Sequence, residues 1–318
     1  MTMLLAITGG SDGWAPERWR ERLRQHLPEM DFVIAGVDDF DPAAIRYAAV
    51  WKPTKGYLAT LPRLSLIFNL GAGVDAVMAD PTLPDVPLVR VATDDLTNRM
   101  SEYVLLHVLM AHRRQAPLAS AQKRRQWDGR LQWAAKDLRV GVMGLGVIGT
   151  DAVHKLAMVG FNVAGWSRTP RSVPGIACFD GAAGLDDFLA RSDVLVVLLP
   201  LTAQTRGIVD RVLLRKLPHD GPLGAPVLIN AGRGGLQIED DILAALDDGT
   251  LGQATLDVFN TEPLPSDHPL WSHPRVTITP HNAADSDAEA IAAYIAAQIR
   301  SHECGAALAN VVDRTRGY

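Results

Sequence analysis

Residues 140–149 read Val140-Gly141-Val142-Met143-Gly144-Leu145-Gly146-Val147-Ile148-Gly149. A short apolar run enters a G-x-G-x-x-G turn, and Val147–Val159 continues as an amphipathic stretch that stops at Gly160. Alone, such a glycine pattern is weak, because many turns use glycine. Strand before and helix after make it specific, and Asn162–Trp166 supplies the second strand of a βαβ unit within the expected span. Each glycine then has a physical task. Gly144 permits the tight turn, Gly146 lets backbone approach a pyrophosphate, and Gly149 lets the helix pack closely on the strand. The N–H groups at the start of that helix, aided by its dipole, face an anion.

The second strand ends Gly165-Trp166-Ser167-Arg168-Thr169, with Arg171 close behind. A site for NAD(H) normally carries Asp or Glu here to hold the ribose 2′-hydroxyl. A hydroxyl and a guanidinium suit a 2′-phosphate instead, the latter through charge-assisted hydrogen bonds. NADP(H) is therefore predicted in preference to NAD(H), which stays open as the second choice.

The rest of the chain repeats the same alternation of short apolar runs and amphipathic stretches, which predicts parallel-sheet α/β structure. Before residue 100, strands are expected at Met3–Ile7, Phe32–Ala35, Ala48–Trp51, Ser65–Asn69 and Leu88–Val91, with helices at Glu17–His26 and Pro42–Tyr47. Ser101–His112 reads as a long helix, and the polar, tryptophan-bearing Arg113–Leu138 as an extended arm. Beyond the glycine turn, Val194–Leu199, Val227–Asn230, Ala254–Phe259 and Val276–Thr279 read as further strands, and Asp240–Asp247 as a helix. Ile291, Ile295 and Ile299 mark a C-terminal helix expected to return to the first domain. The expected fold is two doubly wound parallel-sheet domains with a cleft between them. Residues 1–99 with 287–318 form a flavodoxin-like substrate domain, and residues 100–286 a Rossmann cofactor domain.

Composition bounds the function. The 318 residues suit about two domains. With 31 basic and 36 acidic side chains the net charge is −5, which argues against a nucleic-acid surface. The longest apolar run, Ala290–Ala297, falls far short of the ~20 residues a membrane helix needs, and the N-terminus lacks a signal-peptide pattern. Two cysteines, Cys178 and Cys304, exclude a disulfide framework, and no metal site is expected. A cytoplasmic protein acting on a small molecule fits these limits.

Three polar residues lie where strands of the second domain end. Arg233 follows Val227–Asn230 in Asn230-Ala231-Gly232-Arg233-Gly234-Gly235. Glu262 lies in Asp257-Val258-Phe259-Asn260-Thr261-Glu262-Pro263, and His281 in Thr279-Pro280-His281-Asn282-Ala283. Ligands of open α/β sheets bind beyond the carboxyl ends of the strands. Each residue alone reads as a surface charge or a structural histidine; the three together, beside a dinucleotide turn, point to one site.

These motifs resemble the D-isomer-specific 2-hydroxyacid dehydrogenases from about Ser65 to Ala284. Asn69-Leu70-Gly71-Ala72-Gly73-Val74-Asp75, Leu199-Pro200-Leu201-Thr202 and His268-Pro269-Leu270-Trp271 match as well. The resemblance implies that Arg233 clamps a 2-oxo acid's carboxylate and polarises its carbonyl. It implies that His281 is the general acid, with Glu262 holding its other ring nitrogen and favouring the imidazolium. It also implies that N–H groups of Ala72 and Gly73 meet the carboxylate. The expected cofactor contacts are Gly144, Gly146, Val147, Ile148, Gly149, Ser167, Arg168, Thr169, Arg171, Leu199, Pro200, Ala231, Arg233, Asp257 and His281.

Val50-Trp51-Lys52-Pro53, Trp166-Ser167-Arg168 and the Trp127 arm look most like the glyoxylate/hydroxypyruvate reductase branch. Trp51 reads either as the lining of a small substrate pocket or as a core aromatic. Trp127 reads either as a residue reaching a neighbouring subunit, which implies a homodimer, or as a local anchor. The expectation is NADPH-dependent reduction of glyoxylate or hydroxypyruvate. The alternatives are another 2-hydroxy acid or a corepressor-like, dinucleotide-sensing binding module, since fold does not dictate function.

Overall fold

A computed structural model describes residues 1–9 and 14–317. The chain divides into two compact units, Met1–Leu96 with Ser286–Tyr318, and Thr97–Asp285.

The first unit is built on five parallel strands: β1 (Thr2–Ile7), β2 (Asp31–Ile34), β3 (Ile45–Trp51), β4 (Leu66–Asn69) and β5 (Leu88–Arg90). Their order, β2-β1-β3-β4-β5, is that of a flavodoxin-like sheet. β1 and β4 are buried almost throughout, because both sheet faces are covered. One face carries α1 (Pro16–His26) and the C-terminal helix, whose Ile291, Ile295 and Ile299 share a core with Trp19 and Leu23. The other face is closed by Leu58, Leu61, Val77 and Val312. A short helix, α2 (Asp75–Met78), follows the loop after β4.

The helix expected over Pro42–Tyr47 is not there. Asp41 caps a single 3-10 turn, Pro42–Ala44, by accepting from the Ala43 N–H at 2.9 Å. Ile45 and Tyr47, both fully buried, then pair with Thr2 and Met3 of β1. Burying a β-branched and an aromatic side chain in a sheet outweighs a short helical tendency.

The second unit begins within α3 (Asp94–His112), which starts earlier than the sequence pattern suggested; Asp94 and Asp95 sit in its first turn, where acid complements the helix dipole. The arm expected over Arg113–Leu138 contains a helix, α4 (Gln115–Lys123), and a 3-10 turn at Ala135–Asp137; residues 126–134 between them are irregular. Seven parallel strands follow: β6 (Arg139–Met143), β7 (Asn162–Ser167), β8 (Ala177–Asp180), β9 (Val194–Val197), β10 (Val227–Asn230), β11 (Gln253–Leu256) and β12 (Val276–Ile278). Between them run α5 (Val147–Val159), α6 (Leu185–Leu189), α7 (Arg211–Leu214) and α8 (Glu239–Asp247); α9 (Ala288–Glu303) is the C-terminal helix of the first unit.

The order β12-β11-β10-β9-β6-β7-β8 makes this a doubly wound sheet whose direction reverses between β6 and β9. α3 and α5 share one core with Val140, Val142 and Val196, while α6, α7 and α8 share another with Leu195, Leu228 and Leu256. The loops after β6 and β9 therefore leave the switch point side by side, where open sheets of this kind hold their ligands. Among the described residues, no helix is long and apolar enough to cross a membrane.

Candidate active site

The glycine turn leaves β6 at the switch point, and its three glycines are required for different reasons. Gly144 has φ +112°, and a Cβ there would lie 2.8 Å from the Leu198 carbonyl oxygen on the adjoining strand end. A Cβ at Gly149 would lie 1.7 Å from the Gly144 carbonyl, so α5 reaches its seat only without a side chain at 149. Gly146, the N-cap of α5, is exposed, and a Cβ there would meet nothing within 4 Å. No protein group demands glycine at 146; the open space before the helix N-terminus fits an anion approaching backbone. Val147 and Ile148 open the helix, and Leu199 is buried just past β9, with Pro200 half-buried after it.

Across the sheet, β7 ends in Ser167, whose hydroxyl donates to the Thr169 carbonyl at 2.8 Å and shapes the turn that follows. Arg168, Thr169 and Arg171 are exposed around that turn. Trp166 underpins it, its indole N–H donating to the Gly181 carbonyl at 3.0 Å. The first residue past β7 is thus a cation on a braced turn, with no carboxylate at 167–169. The donor set fits a phosphorylated ribose.

Glu262 and His281 come together, although one follows β11 and the other β12. Glu262 Oε2 lies 2.7 Å from His281 Nδ1. An ionised carboxylate only accepts, so Nδ1–H is the donor, and Nε2 is the ring nitrogen outside this pair. Glu262 is itself held, Oε1 accepting from the Phe259 N–H at 3.0 Å. His281 has φ +53°, an uncommon conformation for a residue with a side chain. Its N–H is fixed by the Asp257 and Thr279 carbonyls at 2.8 and 3.0 Å. Such an outlier, over-determined by its surroundings, is a mark of a functional site.

Asp257, only 1% exposed, turns its carboxylate inward. Oδ1 accepts from the Thr279 hydroxyl at 2.6 Å and from the N–H groups of Asn282 and Ala283 at 3.1 Å each. Burial raises its carboxyl above the ordinary range, against the pull of these bonds and of nearby His281. Thr279 is met on its other side by the Tyr103 phenol of α3, at 2.8 Å; burial pushes that phenol up as well.

Arg233 is half-buried in extended backbone after β10, ahead of a 3-10 turn at Gly234–Leu236. Ala231, two residues before it, is buried. Nη1 of Arg233 donates to the Gly232 carbonyl at 2.8 Å. The loop is pinned from within. Fully buried Asn230 donates to the Arg233 carbonyl at 3.2 Å and to Gln237 Oε1 at 2.8 Å, and accepts from the Gly232 N–H at 3.0 Å. Sequence reading passed over Asn230, Gln237, Tyr103 and Thr279. A polar residue closing the apolar run Val227–Asn230 was a usable signal; the partners of the others are set only by folding.

In the first unit, Ala72 and Gly73 lie in the loop after β4. Asn69, 2% exposed, donates its amide to the carbonyls of Gly71 and Gly73 at 2.7 and 2.9 Å. In a trans peptide the N–H points opposite to the C=O, so the Ala72 N–H faces away from Asn69. Half-buried Trp51, at the end of β3, lies over Gly71: a Cβ there would be 2.6 Å from the indole. Its ring also meets that of Trp14 at a tilt of 46°, with centroids 5.1 Å apart.

Residues 105–283 match the family model described as D-isomer specific 2-hydroxyacid dehydrogenase, NAD binding domain. A glyoxylate/hydroxypyruvate reductase A of Serratia proteamaculans is 42% identical over 308 residues, covering 95% of this chain and 96% of that one. An NADPH-dependent glyoxylate/hydroxypyruvate reductase of Sinorhizobium meliloti, solved in complex with NADP and sulfate, is 44% identical with a TM-score of 0.93, covering 100% of this chain and 99% of that one. A probable 2-hydroxyacid dehydrogenase of Rhizobium etli, in complex with NADP, HEPES and L(+)-tartaric acid, aligns equally well, at 44% identity and TM-score 0.93 over 100% of this chain and 99% of that one.

Proposed function

The chain belongs to the D-isomer specific 2-hydroxyacid dehydrogenase family, and from that membership we propose that it reduces glyoxylate or hydroxypyruvate to the 2-hydroxy acid with NADPH. The observation that carries the chemistry is the 2.7 Å pair of Glu262 and His281 in the unit that holds the glycine turn. The relatives named glyoxylate/hydroxypyruvate reductases, one of them solved with NADP, and a D-isomer specific 2-hydroxyacid dehydrogenase solved with NADPH support the substrate and coenzyme class.

The unit Thr97–Asp285 is read as the dinucleotide-binding domain and the discontinuous unit as the substrate domain. Gly144, Gly146 and the N-terminus of α5 would hold the pyrophosphate, and Ser167, Arg168 and Arg171 the ribose 2′-phosphate. Bound there, NADPH supplies a hydride equivalent to the substrate's carbonyl carbon. Arg233 binds the carboxylate and draws electron density toward the carbonyl oxygen. In the first unit, the Ala72 and Gly73 N–H groups are read as further carboxylate donors. His281 gives the proton on Nε2 to the developing alkoxide and is reprotonated from water. Glu262 keeps Nδ1–H engaged, so that the imidazolium has an anionic partner and one orientation. Asp257 acts through backbone, holding the loop that carries His281.

Trp127 is fully exposed, with Leu131 and Trp133 also exposed on the same irregular segment. Clustered apolar exposure marks an interaction surface, and a homodimer closing over this arm is part of the reading. So is a cytoplasmic location, which suits two free cysteines.

The test is direct: NADPH oxidation followed by absorbance with glyoxylate, hydroxypyruvate and pyruvate. Turnover with the first two is expected. NADPH binding without turnover of any short 2-oxo acid would replace this reading with a binding module.

A further inference from the structure

We propose that Gln237 is a positioning residue that fastens the Arg233 loop to the Glu262 loop; the proposal rests on the reading of Arg233 and Glu262 given above. Gln237 is 2% exposed, an amide between apolar Leu236 and Ile238. Both ends of that amide are used. Oε1 accepts from Asn230 Nδ2 at 2.8 Å, and Nε2 donates to the Val258 carbonyl at 3.0 Å. Asn230 in turn grips the Arg233 carbonyl and the Gly232 N–H. Val258 precedes Phe259, whose N–H donates to Glu262 Oε1. One side chain thus joins the segment that carries the guanidinium to the segment that aims the carboxylate at His281.

The two loops also touch backbone to backbone. A Cβ at Gly234 would lie 1.9 Å from the Phe259 carbonyl oxygen, so residue 234 has no room to stand off from Phe259. At the rim, Asn260 donates its N–H to Glu239 Oε1 at 2.8 Å. Gln237, with Asn230, makes up the buried polar part of this seam. Removing its amide leaves the Asn230 amide and the Val258 carbonyl short of a partner, and the loops free to separate by small amounts. Misplacements of about 1 Å cost rate even when they lie away from the chemistry.

Two variants test this. Gln237→Leu keeps bulk but makes neither bond; kcat/KM for glyoxylate should fall at least about tenfold, through both kcat and KM, at every pH and well below the melting temperature. NADPH affinity, read by fluorescence on the same sample, should change far less than kcat/KM, because the glycine turn and the turn at 167–171 do not touch this bridge. Gln237→Glu has the shape of glutamine. Protonated, it donates to Val258 and accepts from Asn230, remaking the bridge; ionised, it sets a negative charge against the Val258 carbonyl. Burial favours the protonated form, so this variant should work near the wild-type level at the acid end and lose activity as pH rises, in a transition that wild type and Gln237→Leu lack. If Gln237→Leu does not fold, that added transition still carries the test. Wild-type kinetics in the leucine variant, no added transition in the glutamate variant, or a parallel loss of NADPH affinity would each overturn the bridge. Wild type inactive on every short 2-oxo acid would instead overturn the functional reading, and this role with it.

Discussion

At the scale of single residues, the chemistry depends on who holds whom. His281 sits in a left-handed conformation between two carbonyls and a carboxylate, so its imidazole has one orientation. His281→Ala should lower kcat by about a thousandfold, within the range of general acid catalysis, while NADPH binding measured by titration is retained; equal loss of both would remove it from the acid role. Arg168 is argued from charge. Losing a charge-assisted bond costs about 1.5–3 kcal/mol, so Arg168→Ala should weaken NADPH roughly 10- to 100-fold and leave NADH nearly untouched. Kinetics with both coenzymes decide it, an unchanged preference counting against the assignment. Asp257 gives a pH prediction. Burial raises its carboxyl, so the folded chain binds that proton more tightly than the unfolded chain. Its contribution to stability is therefore greatest where the carboxyl is protonated, and declines as pH rises from the ordinary carboxylate value through the raised one. Asp257→Asn cannot ionise. The Tm gap between wild type and variant should shift in the variant's favour across that window; a constant gap would mean that the group binds its proton equally in both states.

At the scale of elements, legibility followed periodicity and punctuation. α5 spans Val147–Val159 and β10 spans Val227–Asn230, the bounds their patterns predict. A glycine stop and an unbroken buried run are local signals that tertiary structure had no reason to override. β8 was invisible: Ala177–Asp180 is a short edge strand, half-exposed, with no apolar alternation. The failure at Pro42–Tyr47 has the opposite cause, a strand edge claiming residues that could start a helix. The glycine turn belongs to this scale because its glycines serve the junction of β6 and α5. In Gly149→Ala the new methyl meets the Gly144 carbonyl, and α5 must shift. The variant should lose about 1–3 kcal/mol of stability, the usual cost of overpacking, together with NADPH affinity. Calorimetry and titration on one preparation read both, and an alanine variant matching wild type in each would show that the turn tolerates displacement.

At the scale of the whole molecule, exposed aromatic surface bears on assembly. A fully exposed tryptophan on the same irregular segment as an exposed leucine and a second exposed tryptophan is costly to leave in water. Sedimentation should find a dimer at micromolar concentration, and Trp127→Ala should shift it toward monomer; a wild-type monomer at all concentrations would refute the homodimer. The sequence alone was enough for the α/β class, the glycine turn between β6 and α5 and the absence of an acid at the end of β7, because each is written in contiguous residues where sterics and charge act locally. It also held Arg233, Glu262 and His281 in order. Only tertiary structure made Glu262 the partner of His281, turned Asp257 inward and set Gln237 between two loops. Those contacts join residues far apart along the chain, and their energy exists only once the sheet has placed the strand ends side by side.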